Sequence, residues 1–310
     1  MKIFLTGASG LVGSAFARAA SRRGHHVVGT VGSFVGKLPG VASQLALDLS
    51  QPEAVTRSVL EFFPDVIVNC AAVSAPAACE TDPVRSDALN VGLPTRLAEL
   101  AHHLGARLIH LSSEQVFDGS RTTPYTITDP VSPINRYGRQ KVASEASVIS
   151  IVPQRAAVVR APLLMGDSPA GDRAVHERLF ADWSEGRTPR LYIDEFRQPC
   201  TAENLAEVLR ELVERPDVNG LLHWAGAELL SRFDLGAKIR AHFKLSEVAA
   251  PIAATTRADH PDLARHRQPC LALDLSHLLS RMRTQPETLD EQLPGLRVPA
   301  AAREWYREQS

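Results

Sequence analysis

The chain has 310 residues, 44% of them hydrophobic and 22% charged, which is enough for a large buried core and excludes disorder over most of its length. Lys and Arg number 34 against 35 Asp and Glu, a net charge of -1, and this excludes the basic surplus of a nucleic-acid-binding protein. No apolar stretch approaches a membrane span, and Cys70, Cys79, Cys200 and Cys270 form no Cys-x-x-Cys pair, so no zinc or other metal site and no membrane contact are expected.

In chain order, residues 2–5 read as a short strand running into glycines, too short for a signal-peptide core. With the sparse cysteines this predicts a cytoplasmic protein. Residues 11–23 carry apolar side chains at helical spacing, and Gly24 stops them. Residues 26–29 predict a second strand and 44–47 a third, ending at Asp48. Residues 52–63 read as a helix with proline in its first turn. The apolar run 66–70 reads as a strand covered on both faces. One long helix is predicted over 83–104 and another buried strand over 107–111. After a turn at 132–135, a helix follows over 137–150 and a sixth strand over 156–160.

The second half is less regular. Helices are predicted over 174–185 and 202–214, and strands over 190–193 and 220–224, the last returning to the main sheet. Residues 249–268 show no clean period and read as loops of a substrate-facing lobe. The alternation predicts an α/β protein, a Rossmann-type doubly wound parallel sheet. Its dinucleotide-binding unit spans residues 1–165 and receives segments near 190–225; residues 166–310 form mainly a smaller, C-terminal substrate-binding lobe.

The first chemical signal is the loop Gly7-Ala8-Ser9-Gly10-Leu11-Val12-Gly13, which follows a strand and opens a helix. Glycines let the backbone approach a pyrophosphate, and the helix N-terminus offers free N–H groups and the positive end of its dipole. Gly7, Ser9, Gly10, Leu11, Val12 and Gly13 are therefore cofactor-binding candidates. A carboxylate about 20 residues past such a loop would bind a ribose 2′-OH and repel a 2′-phosphate. The second strand ends Gly29-Thr30-Val31-Gly32-Ser33 with no acid, and Lys37 follows. NADP(H) is thus preferred, with NAD(H) the alternative, and Thr30 lies at the deciding position.

The second signal is Tyr137-Gly138-Arg139-Gln140-Lys141, a Tyr-x-x-x-Lys motif opening a helix. Residues four apart share a helical face. A phenol with a pKa of about 10 is a sluggish acid, and a nearby ammonium is expected to lower that value. Ser112-Ser113-Glu114-Gln115-Val116-Phe117-Asp118-Gly119 follows the fifth strand on the same edge, where a hydroxyl can hold a substrate carbonyl.

Together these motifs resemble the extended branch of the short-chain dehydrogenase/reductases, over residues 1 to about 165. The Gly-x-x-Gly-x-x-Gly spacing, Asn69-Cys70-Ala71-Ala72 and the Tyr-x-x-x-Lys pair carry the resemblance. It implies a catalytic triad of Ser113, Tyr137 and Lys141, with Tyr137 and Lys141 also meeting the cofactor. It further implies that Asp48 and Leu49 border the adenine, and that Cys70, Ala71 and Ala72 line the ribose and nicotinamide side. Asp48 alone reads equally as a turn cap.

Within that branch the chain is similar to dTDP-4-dehydrorhamnose reductases and related sugar-nucleotide reductases, which carry S-T-D-Y-V-F-D-G where this chain has residues 112–119. The segment Asp194-Glu195-Phe196-Arg197-Gln198-Pro199 is similar to their D-Q-x-G-x-P. Glu114 and Gln115 depart from the pattern by replacing an Asp and a Tyr. Ser113, Glu114 and Arg197 are the substrate candidates, and Arg267 is a further guanidinium for an anionic group. The resemblance implies reduction of a carbonyl on a sugar nucleotide or similar polar metabolite, and a homodimer formed through the helices predicted over 83–104 and 137–150. Two other roles fit the same scaffold. One is an epimerase or dehydratase with Glu114 as base. The other is a non-catalytic NADP-binding subunit like the β subunit of methionine adenosyltransferase.

The remaining signals have plain readings. His25, His26, His102, His103 and His110 are expected to be solvated or capping, and Trp183, Trp224 and Trp305 to pack. Arg160-Ala161-Pro162 fits a loop over the nicotinamide and equally a plain strand-end turn.

Overall fold

The computed structural model describes residues 1–309. Seven strands make one sheet: β1 (Lys2–Thr6), β2 (His26–Val31), β3 (Ser43–Ala46), β4 (Val66–Asn69), β5 (Arg107–Ser113), β6 (Ala156–Ala161) and β7 (Gly220–His223). They lie in the order β7-β6-β5-β4-β1-β2-β3, and every neighbouring pair is parallel. The chain is thus an α/β protein with a Rossmann-type, doubly wound sheet. The winding reverses between β1 and β4, the crevice where such sheets take ligands.

Side chains alternate along each strand between two cores. Ile3, Leu5, Val66, Val68 and Ile109 face the helices Leu11–Arg22 and Ala202–Glu214. Phe4, Ile67, Leu108 and Val158 face the helices Pro52–Phe62, Leu93–Leu104 and Arg136–Ile151. With both faces covered, the strands appear in the sequence as continuous apolar runs. Each fully buried aliphatic side chain contributes about 1.5–3 kcal/mol.

One predicted element is corrected. The single helix over 83–104 is three pieces: Pro83–Asp87, a π-helical turn Ala88–Gly92, and Leu93–Leu104. Pro94 has no N–H to give the Asn90 carbonyl, and its ring crowds that carbonyl, so the ladder widens by one residue there. A short helix, Pro76–Thr81, precedes them.

The helix Ala202–Glu214 and β7 return to the main sheet from the second half. Arg107 fastens them, its guanidinium donating to Leu212 O at 2.9 Å and Asn219 Oδ1 at 2.7 Å. The rest of the second half packs around Phe180, Trp183, Phe243 and Leu235, with Trp305 and Tyr306 against them. Its strands are short. Phe196–Arg197 lies between Leu230–Ser231 and Cys270–Leu271, and within the stretch read as loops Ala253–Thr255 pairs with Arg190–Tyr192. Phe117, Tyr125, Leu271 and Leu273 join this lobe to the segment after β5. Among the described residues no helix is long and apolar enough to cross a membrane. Nor do three His, Cys, Asp or Glu among them gather as a metal site would require.

Candidate active site

Three segments meet at the carboxyl ends of β1, β4 and β5. In the glycine loop, Gly7 has φ +70°, and a Cβ there would lie 2.8 Å from Ala71 N. A Cβ on Gly13 would lie 2.1 Å from Gly7 O. Both positions demand glycine for close backbone approach. Gly10 is less confined, its added Cβ meeting only Gly7 O at 3.2 Å. The helix Leu11–Arg22 begins with no side-chain cap, so the N–H groups of Leu11, Val12 and Gly13 point out at its positive end. Half-buried Ser9 borders them. Such a cradle fits a pyrophosphate.

Thr30 is fully buried, and its Oγ1 accepts from Gly7 N at 3.3 Å. The hydroxyl therefore stands beside the first glycine, where an acid would meet a ribose. Ser33 and Lys37 lie on the exposed edge beyond it. Exposed Asp48 accepts from Ser50 N at 3.0 Å and Ser50 Oγ at 2.8 Å, bonds that hold its carboxyl below the usual range. It caps a turn, while Leu49 packs toward the core. Cys70, Ala71 and Ala72 line the crevice behind Gly7, half-buried. Burial pushes the Cys70 thiol up to about 12, so it stays protonated.

The helix Arg136–Ile151 starts at Asn135, whose side chain accepts from Gly138 N at 2.8 Å. Tyr137, Lys141, Ser144 and Glu145 fall on one face of it, and all four are buried against β5. Tyr137 stands beside the Ser113 hydroxyl, which itself accepts from Gln115 N at 3.2 Å. Lys141 Nζ donates to Leu111 O at 2.9 Å and lies 5.7 Å from the centre of the Tyr137 ring. Ser144 meets His110, and Glu145 accepts from Ser112 Oγ at 2.5 Å. Glu145 also holds Arg160 in a two-bond pair at 2.9 and 2.7 Å. Arg160 thus turns into the protein from the end of β6, as the strand-end reading of this segment has it. Gly138 makes the close fit possible, since a Cβ there would lie 2.2 Å from Gln115 O.

The charge balance differs from expectation. Burial pushes the Tyr137 phenol above its ordinary value, and the Ser113 hydrogen bond is what opposes the rise. The lowering expected from Lys141 does not prevail, because the ammonium is turned toward Leu111 O and burial brings its own pKa down to about 8. The structure therefore keeps a protonated tyrosine beside a serine hydroxyl.

Glu114 is buried one residue on. Its Oε1 lies 3.3 Å from Arg197 Nε, and its Oε2 has no partner. Burial raises it to about 7, against the pull of Arg197 and Arg232. Arg197 is fully engaged inside the protein, its other nitrogens donating to Phe196 O at 2.7 Å and Gln268 O at 2.9 Å. Arg267 is paired with Glu195 at 2.5 and 2.7 Å. Gln115 Oε1 accepts from Asn135 Nδ2 at 3.0 Å and so braces the start of the helix Arg136–Ile151.

Sequence reasoning missed several residues of this site. Arg232 stands beside Arg197 and Arg267, and burial and its guanidinium neighbours bring it down to about 10. Asn90, on the π-helical turn, donates to Gln140 Oε1 at 2.8 Å and accepts from Val73 N at 2.9 Å. His110 is neither solvated nor a cap; it is 1% exposed and bonded through both ring nitrogens. The π turn left a signal in Pro94, whereas the other residues left none short of the fold.

The model of the RmlD substrate binding domain matches residues 1–297 of this chain. The chain belongs to that family. It is 33% identical over 284 residues to methionine adenosyltransferase 2 subunit beta from Rattus norvegicus, covering 89% of this chain and 81% of the relative. It is 30% identical to the probable low-salt glycan biosynthesis reductase Agl14 of Haloferax volcanii, covering 96% of this chain and 97% of that protein. The fold matches the crystal structure of dTDP-4-dehydrorhamnose reductase from Bacillus anthracis in complex with NADP. There the TM-score is 0.78 and the identity 19%, over 92% of this chain and 95% of that one.

Proposed function

We propose that this protein is an NADP(H)-preferring reductase of a carbonyl on a sugar nucleotide or similar polar metabolite. The observation that carries the reading is the buried Ser113–Tyr137–Lys141 group beside a loop whose glycines leave room for a pyrophosphate. Its family membership and its full-length likeness to Agl14 of Haloferax volcanii support it.

The nicotinamide cofactor supplies a hydride when bound. Gly7 and Gly13 let the loop close against its own backbone and Ala71, and the N–H groups of Leu11 and Val12 at the uncapped helix end would hold its pyrophosphate. Thr30 would border its ribose, and Ala71 and Ala72 would shape the nicotinamide side. Ser113 donates to the substrate carbonyl and fixes it against Tyr137. Tyr137, held protonated by burial, gives its phenolic proton to the oxygen as the carbonyl carbon is reduced, and such general acid catalysis is worth roughly 10²–10⁴-fold. Lys141, its Nζ 5.7 Å from the centre of the Tyr137 ring, would hold the nicotinamide ribose. Glu114, next to Ser113 with one carboxylate oxygen buried and unpartnered, would shape the polar end of the substrate pocket. Arg197 braces Glu114, and the smaller lobe, formed mainly by residues 166–310, would cover the substrate. The protein acts as a cytoplasmic homodimer joined through the helices Leu93–Leu104 and Arg136–Ile151; a monomer in sedimentation at micromolar concentration contradicts that assembly.

NADPH absorbance, followed against a panel of 4-keto sugar nucleotides and small ketones, tests the activity. Turnover of a keto sugar nucleotide supports it. The 33% identity to a methionine adenosyltransferase β subunit favours one other reading, a regulatory subunit. That reading prevails if nothing in the panel is reduced while NADPH changes the affinity for a partner protein.

A further inference from the structure

Behind the catalytic residues runs a buried polar chain with a fixed direction. Asn69 Oδ1 accepts from the Ala71 backbone N–H at 3.2 Å and from the Thr6 hydroxyl at 2.6 Å. The Asn69 amide nitrogen therefore faces His110 Nδ1, at 3.1 Å, and must donate to it. His110 Nδ1 is thus the unprotonated nitrogen, and Nε2 carries the hydrogen. Ser144 Oγ lies 3.0 Å from Nε2 and gives its own hydrogen to Lys141 O at 2.8 Å, so it accepts from His110. Donation runs one way on each side of the imidazole, from Asn69 through His110 and Ser144 to the Lys141 backbone.

The two ends of this chain are the two halves of the site. Thr6 precedes Gly7, and Ala71 is the residue against which Gly7 packs. At the far end Lys141 is held twice, by Ser144 at its carbonyl and by Leu111 O, next to His110, at its ammonium. We propose that His110, as the neutral Nε2–H imidazole, is a positioning residue that ties Lys141 to the cofactor-facing loops. This rests on the reductase reading for its consequence in turnover, but not for its hydrogen-bond direction. Burial and the nearby Lys141 charge both keep the ring neutral.

Side-chain length separates the two bonds. In His110→Gln the amide nitrogen reaches the place of Nε2 and keeps the donor to Ser144. In His110→Asn the amide oxygen takes the place of Nδ1 and keeps only the acceptor for Asn69. The test combines 15N NMR of the His110 ring in the unmodified protein with NADPH titration and steady-state kinetics of both variants and of Ser144→Ala. Thermal unfolding checks that each is folded. We expect the Nε2–H tautomer across about pH 5 to 8. His110→Gln should stay within about threefold of the unmodified protein in NADPH affinity and kcat. His110→Asn and Ser144→Ala should each lose about tenfold, and their combination little more, since they break one chain. An Nδ1–H tautomer overturns the proposal. So do folded Gln and Asn variants that behave alike, which would leave His110 a packing residue. Failure of the unmodified protein to bind NADPH would instead count against the reductase reading, and the tautomer would still decide the chain.

Discussion

Gly138→Ala adds one methyl group where the structure leaves no room for it. The new Cβ would lie 2.2 Å from Gln115 O and 2.8 Å from Pro133 Cβ. A carbon–oxygen contact is comfortable at about 3.3 Å, so the helix or the 114–116 turn must retreat by about 1 Å. Both obstacles belong to the turn and its neighbour, not to the end of a flexible side chain. Overpacking of this kind costs about 1–3 kcal/mol, while alanine gains about 1 kcal/mol over glycine in helix propensity. The net expectation is a destabilisation of roughly 0–2 kcal/mol in urea unfolding. Activity suffers more, because the displaced groups are Tyr137 and Ser113, and a 1 Å misplacement can cost about 10²-fold in turnover. NADPH oxidation on any accepted substrate measures that loss. A variant that is stabilised, as helix propensity alone would have it, and turns over normally refutes the packing argument.

Gly10→Val should fold, because Gly10 has ordinary φ and only one near contact, yet it should weaken NADPH binding by at least about tenfold in calorimetry; unchanged affinity would remove the loop from the cofactor site. Thr30→Asp places a carboxylate beside Gly7 N, so the preference for NADPH over NADH should flatten or reverse in fluorescence titrations; clear NADH preference in the unmodified protein contradicts the assignment. Lys141 carries its charge below its depressed pKa of about 8 and loses it as pH rises, so turnover should fall above about pH 8. In Lys141→Arg, where the charge persists, the residual activity should lack that limb, and a limb of unchanged position would assign it to another group.

The parts of this account that were legible in the sequence rest on local repetition. The strand, glycines and helix of residues 2–22 form one contiguous signal, and Tyr137 and Lys141 share a face because four residues span one helical turn. The same face continues through Ser144 and Glu145, but a polar residue on a helix ordinarily looks toward water. Only the approach of β5 buries those two side chains and supplies His110 and Ser112 as partners. The inward turn of Arg160 is invisible for the same reason: its partner Glu145 lies on another element. The helix over 83–104 was read as continuous because its apolar spacing is regular, while the break comes from the missing N–H of Pro94. Glu114 and Arg197 were recognisable as candidates from motif position. Their ion pair, and the buried oxygen it leaves unpartnered, depend on where the lobe folds back. That lobe is built on strands of two or three residues, too short for any period to be visible.

The central claim is that Tyr137 delivers a proton as a carbonyl is reduced. Tyr137→Phe deletes one oxygen and leaves the ring in its buried place, so the protein should fold and bind NADPH as before. Its steady-state NADPH oxidation, on a keto sugar nucleotide turned over by the unmodified protein, should fall by at least about 10²-fold. Near-normal turnover in a folded, cofactor-binding Tyr137→Phe protein would contradict the account.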